Sequence, residues 1–302
     1  MTESSSLPYP PGAWTPIEAD ASARTYSSGR FEGTGALLAE FGDDLDGRER
    51  FLFTTHLLEG AGLRVPRLLH APEGASWLLV ERIDGIPLSA ARGRPVSEGR
   101  LLRLAGAIQD IGGWEGGPVL FGLDGPRLRF ECTFFSAHFW AGYLNRPPDA
   151  ELDEALRALA AAVSLEPPLF CHRDLHSENL LLERDGGLVI IDHQDALMGP
   201  PAYDAASLAV DAYRPYSGRR YYDFAEAWLS GRSFGPEAFH RTALQRALKA
   251  LGTFGYQVIR RKKVRYLGAM ETTARYVLLL LKHAPSPLGS LREAMESLLD
   301  TH

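Results

Sequence analysis

Short runs of apolar residues alternate with polar ones near the start of the chain. Residues 24–26, 29–31 and 37–41 are such runs, and the glycines beside them are typical of tight turns between antiparallel strands. Residues 65–70 and 77–81 have the composition of two further strands. Between these groups, residues 48–63 repeat apolar or small side chains along one helical side, and two glycines end the repeat. The pattern predicts a small antiparallel sheet with one inserted helix.

Helical periodicity dominates from Glu98 onward. Apolar stripes recur in residues 101–108, 152–159, 243–259, 275–281 and 291–299. Two apolar runs at 180–182 and 188–191 are separated by an Asp-Gly-Gly turn, which favours a β-hairpin. We therefore predict an α+β protein with a bilobal fold: a small antiparallel sheet lobe with one helix over residues 1–82, and a larger, mainly helical lobe over residues 83–302.

Composition and charge exclude several classes of protein. The chain has 302 residues, 45% hydrophobic and 23% charged, as ordinary globular proteins do. A net charge of −6 gives no general attraction to nucleic acid, and no apolar stretch approaches the ~20 residues that span a bilayer. Cys132 and Cys171 are too few for a disulfide framework, and no signal segment is visible. We expect a cytoplasmic protein with neither nucleic-acid nor membrane partners, and the oligomeric state stays open.

The segment from residue 172 to 192 carries side chains that suit phosphoryl transfer. It reads His172-Arg173-Asp174, with Asn179 five residues after the aspartate, and the predicted hairpin then leads to Asp192. Phosphoryl transfer needs a group that takes the proton of the acceptor hydroxyl, and divalent ions that neutralise the phosphates. Asp174 offers a carboxylate, while Asn179 and Asp192 offer the hard oxygen ligands that Mg²⁺ prefers.

This segment resembles the catalytic and metal loops of the aminoglycoside phosphotransferase and choline kinase superfamily, whose members are relatives of protein kinases. The resemblance implies a protein-kinase-like fold and an enzyme that uses ATP and Mg²⁺. It implies that Asp174 is the catalytic base and that Asn179 and Asp192 are magnesium ligands. It also implies that His172 holds the loop by hydrogen bonds to the backbone.

Further motifs narrow the resemblance to the anomeric sugar kinases of bacterial cell-wall recycling. Those enzymes phosphorylate the anomeric hydroxyl of N-acetylmuramate and N-acetylglucosamine, so the resemblance implies a sugar 1-phosphate product and a role in peptidoglycan recycling. His193 departs from the family, whose members usually carry an aromatic residue there. The motifs that carry the likeness are Asp20-Ala21-Ser22-Ala23-Arg24-Thr25-Tyr26, Ile191-Asp192-His193-Gln194-Asp195-Ala196, Gly199-Pro200, Tyr203-Asp204 and Leu244-Gln245-Arg246 with Leu248-Lys249.

Nucleotide binding has to be achieved without the usual lysine. Kinases of this architecture carry a lysine on the third strand of the small lobe, paired with a helical glutamate, but no lysine precedes Lys249 in this chain. Arg24 and Arg30 are the nearest candidates to hold phosphate oxygens, and Glu49 is the candidate to orient one of them. The alternative is that both arginines point to solvent. By resemblance, Glu81 to Ile83 is the hinge whose backbone meets adenine.

Three further residues lie near the catalytic motif. Two of them have two possible roles each, and the third is expected to support the loop. His176 could contact the acceptor or the phosphates, or it could brace the loop. Asp195 could bind a second metal ion or a sugar hydroxyl, or it could cap the loop. Asp204 is expected to accept backbone hydrogen bonds from the catalytic loop.

Three hypotheses on function follow. The first is an ATP- and Mg²⁺-dependent kinase of an N-acetylated amino sugar. The second is a kinase of another small molecule, an aminoglycoside or a choline-like acceptor, which would need an acidic pocket. The third is a nucleotide-binding pseudokinase, suggested by the absent lysine and opposed by the intact motif. Candidate acidic residues for a cationic acceptor are Asp211, Asp223, Glu226, Glu237 and Glu271.

Overall fold

The computed structural model describes residues 14–17, 24–111, 122–286 and 288–300. Within these residues the strands are β1 (Thr15–Ile17), β2 (Thr25–Phe31), β3 (Thr34–Glu40), β4 (Leu68–His70), β5 (Trp77–Glu81), β6 (Gly85–Pro87), β7 (Leu169–Cys171), β8 (Leu180–Glu183), β9 (Leu188–Ile190) and β10 (Leu197–Gly199). The helices are α1 (Leu45–Gly60), α2 (Glu98–Gln109), α3 (Gly125–Phe135), α4 (Ala150–Val163), α5 (Tyr203–Ala209), α6 (Gly218–Leu229), α7 (Pro236–Ile259), α8 (Leu267–Leu280) and α9 (Gly289–Asp300). A π-helical stretch, Ser136–Ala141, continues α3.

These residues form two compact units. The smaller unit contains the described residues up to Ala91 together with Asn179–Asp195, and the larger unit contains the rest. The sequence predicts a single boundary after residue 82, whereas these units divide after Ala91 and place the β8–β9 hairpin in the smaller one. The α+β class is confirmed, because antiparallel sheets dominate the smaller unit and helices dominate the larger.

The smaller unit is built on an antiparallel sheet in the order β1-β2-β3-β5-β4. Its central strand β3 alternates its apolar side chains between two faces, so that Ala39 joins one buried cluster with Phe51 of α1 and Leu38 joins another with Trp77. The prediction of separate strands at 24–26 and 29–31 was wrong, because β2 pairs with β3 without interruption from Thr25 to Phe31.

Helix α1 and the β8–β9 hairpin confirm two of the local predictions. The helix begins at Leu45, three residues before the predicted start, because the Asp44 carboxylate accepts a hydrogen bond from the Gly47 N–H and caps the first turn. In the hairpin, Leu180 pairs with Ile190, and Gly186 in the turn has a φ of 91°, which glycine adopts without strain. The hairpin also pairs with β6 through β8.

The larger unit is organised around α7, which packs against α3, α4, α5 and α8. Gly252 permits the close approach to α3, since a Cβ atom there would lie 2.9 Å from the Phe135 Cα. The apolar stripes predicted in α2 and α4 face the core, and Leu101, Leu156 and Leu159 are buried. Strands β7 and β10 pair antiparallel beside the catalytic segment. The sequence patterns gave no prediction for α3, α5 or α6.

Two further expectations concern the cysteines and the membrane. Cys132 and Cys171 are both buried free thiols. In the part of the chain that the structure describes, none of the helices has the length and apolar character needed to cross a bilayer.

Candidate active site

The catalytic segment begins where β7 ends, and a buried carboxylate sets its backbone. Asp204 of α5 accepts hydrogen bonds from the backbone N–H groups of His172, at 2.7 Å, and of Arg173, at 3.0 Å. Burial raises the pKa of Asp204, and these hydrogen bonds oppose that rise. The His172 ring is buried, and Asp204 makes the contacts to the loop backbone that the sequence analysis expected of it.

Arg173 has an uncommon backbone conformation and forms a buried ion pair. Its φ is 76°, in the left-handed region that residues with a Cβ rarely enter. Its guanidinium donates to Glu131 of α3 at 3.1 Å, and the second oxygen of Glu131 accepts from Gln245 of α7 at 2.8 Å. Strained residues of this kind cluster at functional sites, where the surrounding contacts hold them.

Asp174 lies between two cations of α7. Arg246 donates from Nη2 at 3.0 Å and Lys249 from Nζ at 2.8 Å, and both hydrogen bonds end on the same oxygen, Oδ1. Burial alone would raise the pKa of Asp174, but Lys249, Arg246 and Arg173 together hold it well below its usual value. Burial in turn lowers the pKa of Lys249, and Asp174 opposes that change. Asp174 is therefore a carboxylate across the physiological pH range.

His176 lies in the same loop, and its backbone N–H donates to the Asp174 carbonyl. Its ring centroid is 5.6 Å from that of Tyr213. Burial lowers the pKa of His176 to about 3, with Arg246 adding to the effect, so the ring is neutral at physiological pH. Asp211 fixes the end of the loop by accepting from the Ser177 N–H at 2.7 Å.

Asn179 and Asp192 are brought together in the smaller unit by the β8–β9 hairpin. Asn179 directly precedes β8, and the Ile191 N–H donates to its carbonyl at 3.1 Å, so the two candidate ligands stand at the same end of the hairpin. The backbone of Asp192, like that of Arg173, is left-handed, with a φ of 59°. One amide and one carboxylate oxygen at this end fit the ligand preference of Mg²⁺. Within the described residues, no group of three or more His, Cys, Asp or Glu side chains forms a separate metal site.

A hydrogen bond joins the segment after Asp192 to α1. His193 is buried and its Nε2 atom lies 2.8 Å from the hydroxyl of Thr55, and its ring centroid is 4.8 Å from that of Phe51. His193, where the family usually carries an aromatic residue, therefore still packs its ring against Phe51, and it also makes a hydrogen bond to α1.

Arg24 and Asp195 belong to the same polar cluster as Asp192. The Arg24 guanidinium is 3.9 Å from the Asp195 carboxylate and 5.4 Å from the centre of the Phe41 ring. Gln194 donates from Nε2 to Asp192 at 2.6 Å and to Asp195 at 3.3 Å. Arg24 is thus placed beside the candidate metal ligands, and Asp195 is its counter-ion.

Arg30 and Glu49 are not brought to this cluster. Arg30 is exposed at the other end of β2, about 20 Å from Arg24 at about 3.3 Å per residue, and donates to the Gly33 carbonyl in its own turn. Glu49 pairs with Arg48 rather than with Arg24 or Arg30. Of the two candidate arginines, Arg24 is the one in the cluster with Asp192, and Glu49, which was predicted to orient one of them, contacts Arg48 instead.

The candidate hinge follows β5. Burial would raise the pKa of Glu81, but hydrogen bonds from Arg64, at 2.9 Å, and Arg67, at 3.1 Å, lower it. Ile83 lies in the link to β6, and its backbone makes no hydrogen bond with the described residues. The contact of this backbone with adenine stays a prediction.

Residues 13–244 match the model of the phosphotransferase enzyme family. The chain belongs to this family. It is therefore a phosphotransferase, and the superfamily resemblance drawn from the catalytic segment is confirmed.

Among curated members, the N-acetylmuramate/N-acetylglucosamine kinase of Pseudomonas aeruginosa is 28% identical over 311 residues, which cover 96% of this chain and 89% of that protein. The protein of the same name from Neisseria meningitidis is 27% identical over 68% of this chain and 66% of its own length. Among solved structures, a choline kinase from Streptococcus pneumoniae has a TM-score of 0.58 at 17% identity, covering 85% of this chain and 90% of its own. An ADP-bound aminoglycoside phosphotransferase has a TM-score of 0.56 at 12% identity, covering 89% and 93%. The kinase-like fold of this phosphotransferase is thereby confirmed.

Sequence analysis missed the two cations that contact Asp174. Arg246 and Lys249 are 72 and 75 residues further along the chain, and their motif indicated only a helix of the family type. A signal was present in the spacing, because residues three apart share one helical side, so both cations project toward the same neighbour. Glu131 was also missed, since nothing near it in the sequence marks it as a partner of Arg173.

Proposed function

We propose that this phosphotransferase transfers the γ-phosphoryl group of ATP to the anomeric hydroxyl of an N-acetylated amino sugar, N-acetylmuramate or N-acetylglucosamine, and forms the sugar 1-phosphate. The names of the relatives that cover nearly the whole chain support this choice of acceptor. So does the likeness of the segment from Ile191 to Asp204 to the anomeric sugar kinases. The reaction would take place in the cytoplasm, as a step of peptidoglycan recycling.

The observation that carries the choice of acceptor is the position of Asp174 between Arg246 and Lys249. An N-acetylated amino sugar has no positive charge, and N-acetylmuramate carries a carboxylate. An aminoglycoside or choline is a cation, and it would be repelled by two cations within a few ångströms of the base. The electrostatics around Asp174 therefore favour a neutral or anionic acceptor.

Three of the five candidate carboxylates for a cationic acceptor are paired with other groups of the chain. Asp211 accepts from the backbone of Ser177 and of Tyr213. Asp223 pairs with Arg219, and Glu237 pairs with His283. These contacts weaken the aminoglycoside and choline alternative.

Asp174 takes the proton of the acceptor hydroxyl in this proposal. The hydroxyl oxygen bonds to the γ-phosphorus, the bond from that phosphorus to the β,γ-bridging oxygen breaks, and ADP leaves with the electron pair. The same cations that lower the pKa of Asp174 make it a weak base. A hemiacetal hydroxyl is more acidic than an ordinary alcohol, so it suits a weak base.

Asn179 and Asp192 would hold the magnesium ion, which neutralises negative charge on the phosphate oxygens when it is bound. Arg24 would stand beside them in the smaller unit. The backbone between Glu81 and Ile83 would meet the adenine. The presence of Asp174, Asn179 and Asp192 together disfavours the pseudokinase hypothesis.

The test is a phosphate-transfer assay with the full chain, ATP and Mg²⁺. The acceptors are N-acetylmuramate, N-acetylglucosamine, its methyl glycoside, glucosamine and an aminoglycoside, and the product is read by ³¹P NMR. We expect a phosphate coupled to the anomeric proton, a loss of reducing-sugar reactivity, and no reaction of the methyl glycoside, whose anomeric oxygen is blocked.

Three other outcomes would contradict parts of the proposal. A 6-phosphate product would exclude the anomeric position and leave a sugar kinase. Transfer to the aminoglycoside alone would replace the acceptor class. Binding of ATP without transfer to any acceptor would favour the pseudokinase.

A further inference from the structure

The positive charge around Asp174 exceeds what is needed to hold a general base. Arg246 on its own would fix the carboxylate, since its Nη2 donates to Oδ1 at 3.0 Å while its Nε donates to the Ser207 hydroxyl at 3.0 Å. The guanidinium is thereby held at two points. Lys249 places a second cation on the same oxygen.

The donors of Lys249 are only partly used. An ammonium carries three N–H donors, and among the described residues the Lys249 side chain makes one hydrogen bond, to Asp174. Only 12% of the side chain is exposed, and unused donors cost free energy in such a place. Strong acceptor oxygens of a ligand would satisfy them.

The rarity of lysine in the chain makes this position unusual. Only four of the 32 basic residues are lysines, so arginine is the cation that this sequence otherwise uses. Lys262 and Lys282 are exposed, in contrast to Lys249. Lysine differs from arginine in offering a compact point charge with rotatable donors, which suits the oxygens of a moving phosphoryl group. Strand β3, where related kinases carry a phosphate-binding lysine, has none.

We propose that Lys249 is a catalytic residue that donates hydrogen bonds to the phosphoryl group during its transfer. The inference rests on the proposed function, because it takes Asp174 as the base. The acceptor hydroxyl must lie within about 3 Å of the Asp174 carboxylate, and the γ-phosphorus within about 3.5 Å of the hydroxyl oxygen. The Nζ atom, 2.8 Å from that carboxylate, is then within reach of a phosphoryl oxygen.

A contact between Lys249 and the phosphoryl group would raise the rate by stabilising the transition state. In a loose transition state, negative charge is spread over the three equatorial oxygens of the transferring group. A cation already fixed beside them stabilises that charge without reorganising during the reaction. Removing one such donor typically lowers kcat by about 10²–10³-fold.

The experiment compares Lys249→Met with Lys282→Met, a matched loss of an exposed lysine outside the site. For each protein, kcat and KM are measured with N-acetylmuramate and with N-acetylglucosamine. The measurements are repeated across a range of pH. The rate with ATP is also compared with the rate with its γ-thio analogue. We expect Lys249→Met to lower kcat by about 10²-fold or more with both sugars, with both sugar KM values changed less than about threefold. The rate ratio between ATP and the thio analogue should fall, because the contact to the transferring oxygens is lost. Lys282→Met should match the wild type.

Other results would overturn the inference. A loss confined to the KM for N-acetylmuramate would assign Lys249 to the sugar carboxylate instead. A full return of kcat at higher pH would mean that Lys249 acts only by lowering the pKa of Asp174. Wild-type kcat in the variant, beside an active wild type, would remove Lys249 from catalysis and leave the proposed function intact. A wild type that transfers phosphate to no acceptor would remove the proposed function itself.

Lys249→Arg covers the case in which Lys249→Met does not fold. It keeps a cation beside Asp174 but replaces the compact ammonium with a planar guanidinium. We expect an unchanged melting temperature and a kcat at least about tenfold below that of the wild type but above that of Lys249→Met, because the charge is retained while the contact of the ammonium is lost. Wild-type kcat in this variant would contradict a specific contact of the ammonium.

Discussion

The guanidinium of Arg173 donates to the Glu131 carboxylate at 3.1 Å, and both side chains are largely buried. The pair connects α3 to the residue with the left-handed backbone beside the catalytic base. Gln245 occupies the second oxygen of Glu131, so α7 joins the same network. Burial alone would lower the pKa of Arg173, but the carboxylates of Asp174 and Glu131 raise it, so the cation is permanent.

Replacing Glu131 with glutamine should therefore lower the free energy of unfolding by about 3 kcal/mol, because it leaves the buried Arg173 cation without its carboxylate. Urea denaturation of the wild type and the variant measures the difference. The control is Glu154→Gln, which removes the carboxylate of an exposed pair with Arg157 and should cost less than about 1 kcal/mol. Equal losses in the two variants would show that burial does not govern the strength of the Glu131 contact.

Asp174→Asn should reduce turnover by about 10²–10⁴-fold, since an amide cannot take the proton of the acceptor. ATP binding, measured by calorimetry, should be close to wild type. Because Arg246 and Lys249 hold the pKa of Asp174 well below 3.8, the wild-type rate should not decline through this group until the pH falls below about 4. Near-normal turnover of the variant would show that Asp174 is not the base.

Asp192→Asn should raise the Mg²⁺ concentration needed for half-maximal activity by about tenfold or more, since a charged ligand becomes neutral. The Gln194 contact to this position would be altered as well, so a neighbouring control is needed. Asp195→Asn supplies it, because it removes a carboxylate of the same cluster that faces Arg24. A magnesium titration that shifts equally in both variants would contradict the assignment of Asp192 as the ligand.

Arg24→Ala should raise the apparent KM for ATP several-fold, whereas Arg30→Ala should leave it within about twofold. Arg24 lies beside Asp195 in the cluster that contains Asp192, and Arg30 is exposed at the far end of β2. An arginine can hold phosphate oxygens at two points, and of the two candidates Arg24 is the one that lies near Asp192. If the two variants use ATP equally well, nucleotide binding in the smaller unit does not depend on either side chain.

The contact between His240 and His283 leads us to expect that the stability of the protein changes with pH. Burial and the neighbouring His283, whose ring stacks at 4.1 Å, together lower the pKa of His240 to about 4; Lys282 adds to the effect and Glu237 opposes it. In the unfolded chain histidine titrates near 6.5, so between about pH 6.5 and 4 the unfolded state binds a proton that the folded state refuses. The free energy of unfolding should therefore fall by a few kcal/mol as the pH drops through this window.

The check is the difference in this slope between the wild type and His240→Gln, because other buried groups such as His176 contribute to both. The variant loses the hydrogen bond to Tyr221, so it is less stable at neutral pH, but its slope should be flatter. His56→Gln, at an exposed position, should keep the wild-type slope. An unchanged slope in His240→Gln would exclude this residue as the source.

Local signals in the sequence were sufficient for much of the fold. The glycine turn between β8 and β9 and the glycines at the end of α1 fix backbone conformation within a few residues, and both predictions were confirmed. The strand β5 was predicted at its observed bounds, because a run of apolar residues there is closed by a charged one. Helices without a clear stripe, such as α3, gave no such signal.

The site was predicted only where its residues are close in sequence. Asp174 and Asn179 share one motif, and the hairpin supplies Asp192. The partners of Asp174 and Arg173 come from α7 and α3, and such contacts depend on tertiary packing that no local pattern specifies. The separation of Arg30 from Arg24 has the same origin, since strand pairing from Thr25 to Phe31 decides which end of β2 each arginine occupies.

The burial of both cysteines makes this protein suitable for site-specific labelling. Burial raises the pKa of Cys132 to about 12 and that of Cys171 well above 9, so almost no thiolate is present at neutral pH. A cysteine introduced at an exposed position such as Leu165 would then be the point at which a maleimide dye attaches to the folded chain. Without that addition, the rate at which the two native thiols are alkylated measures how often the core around them opens.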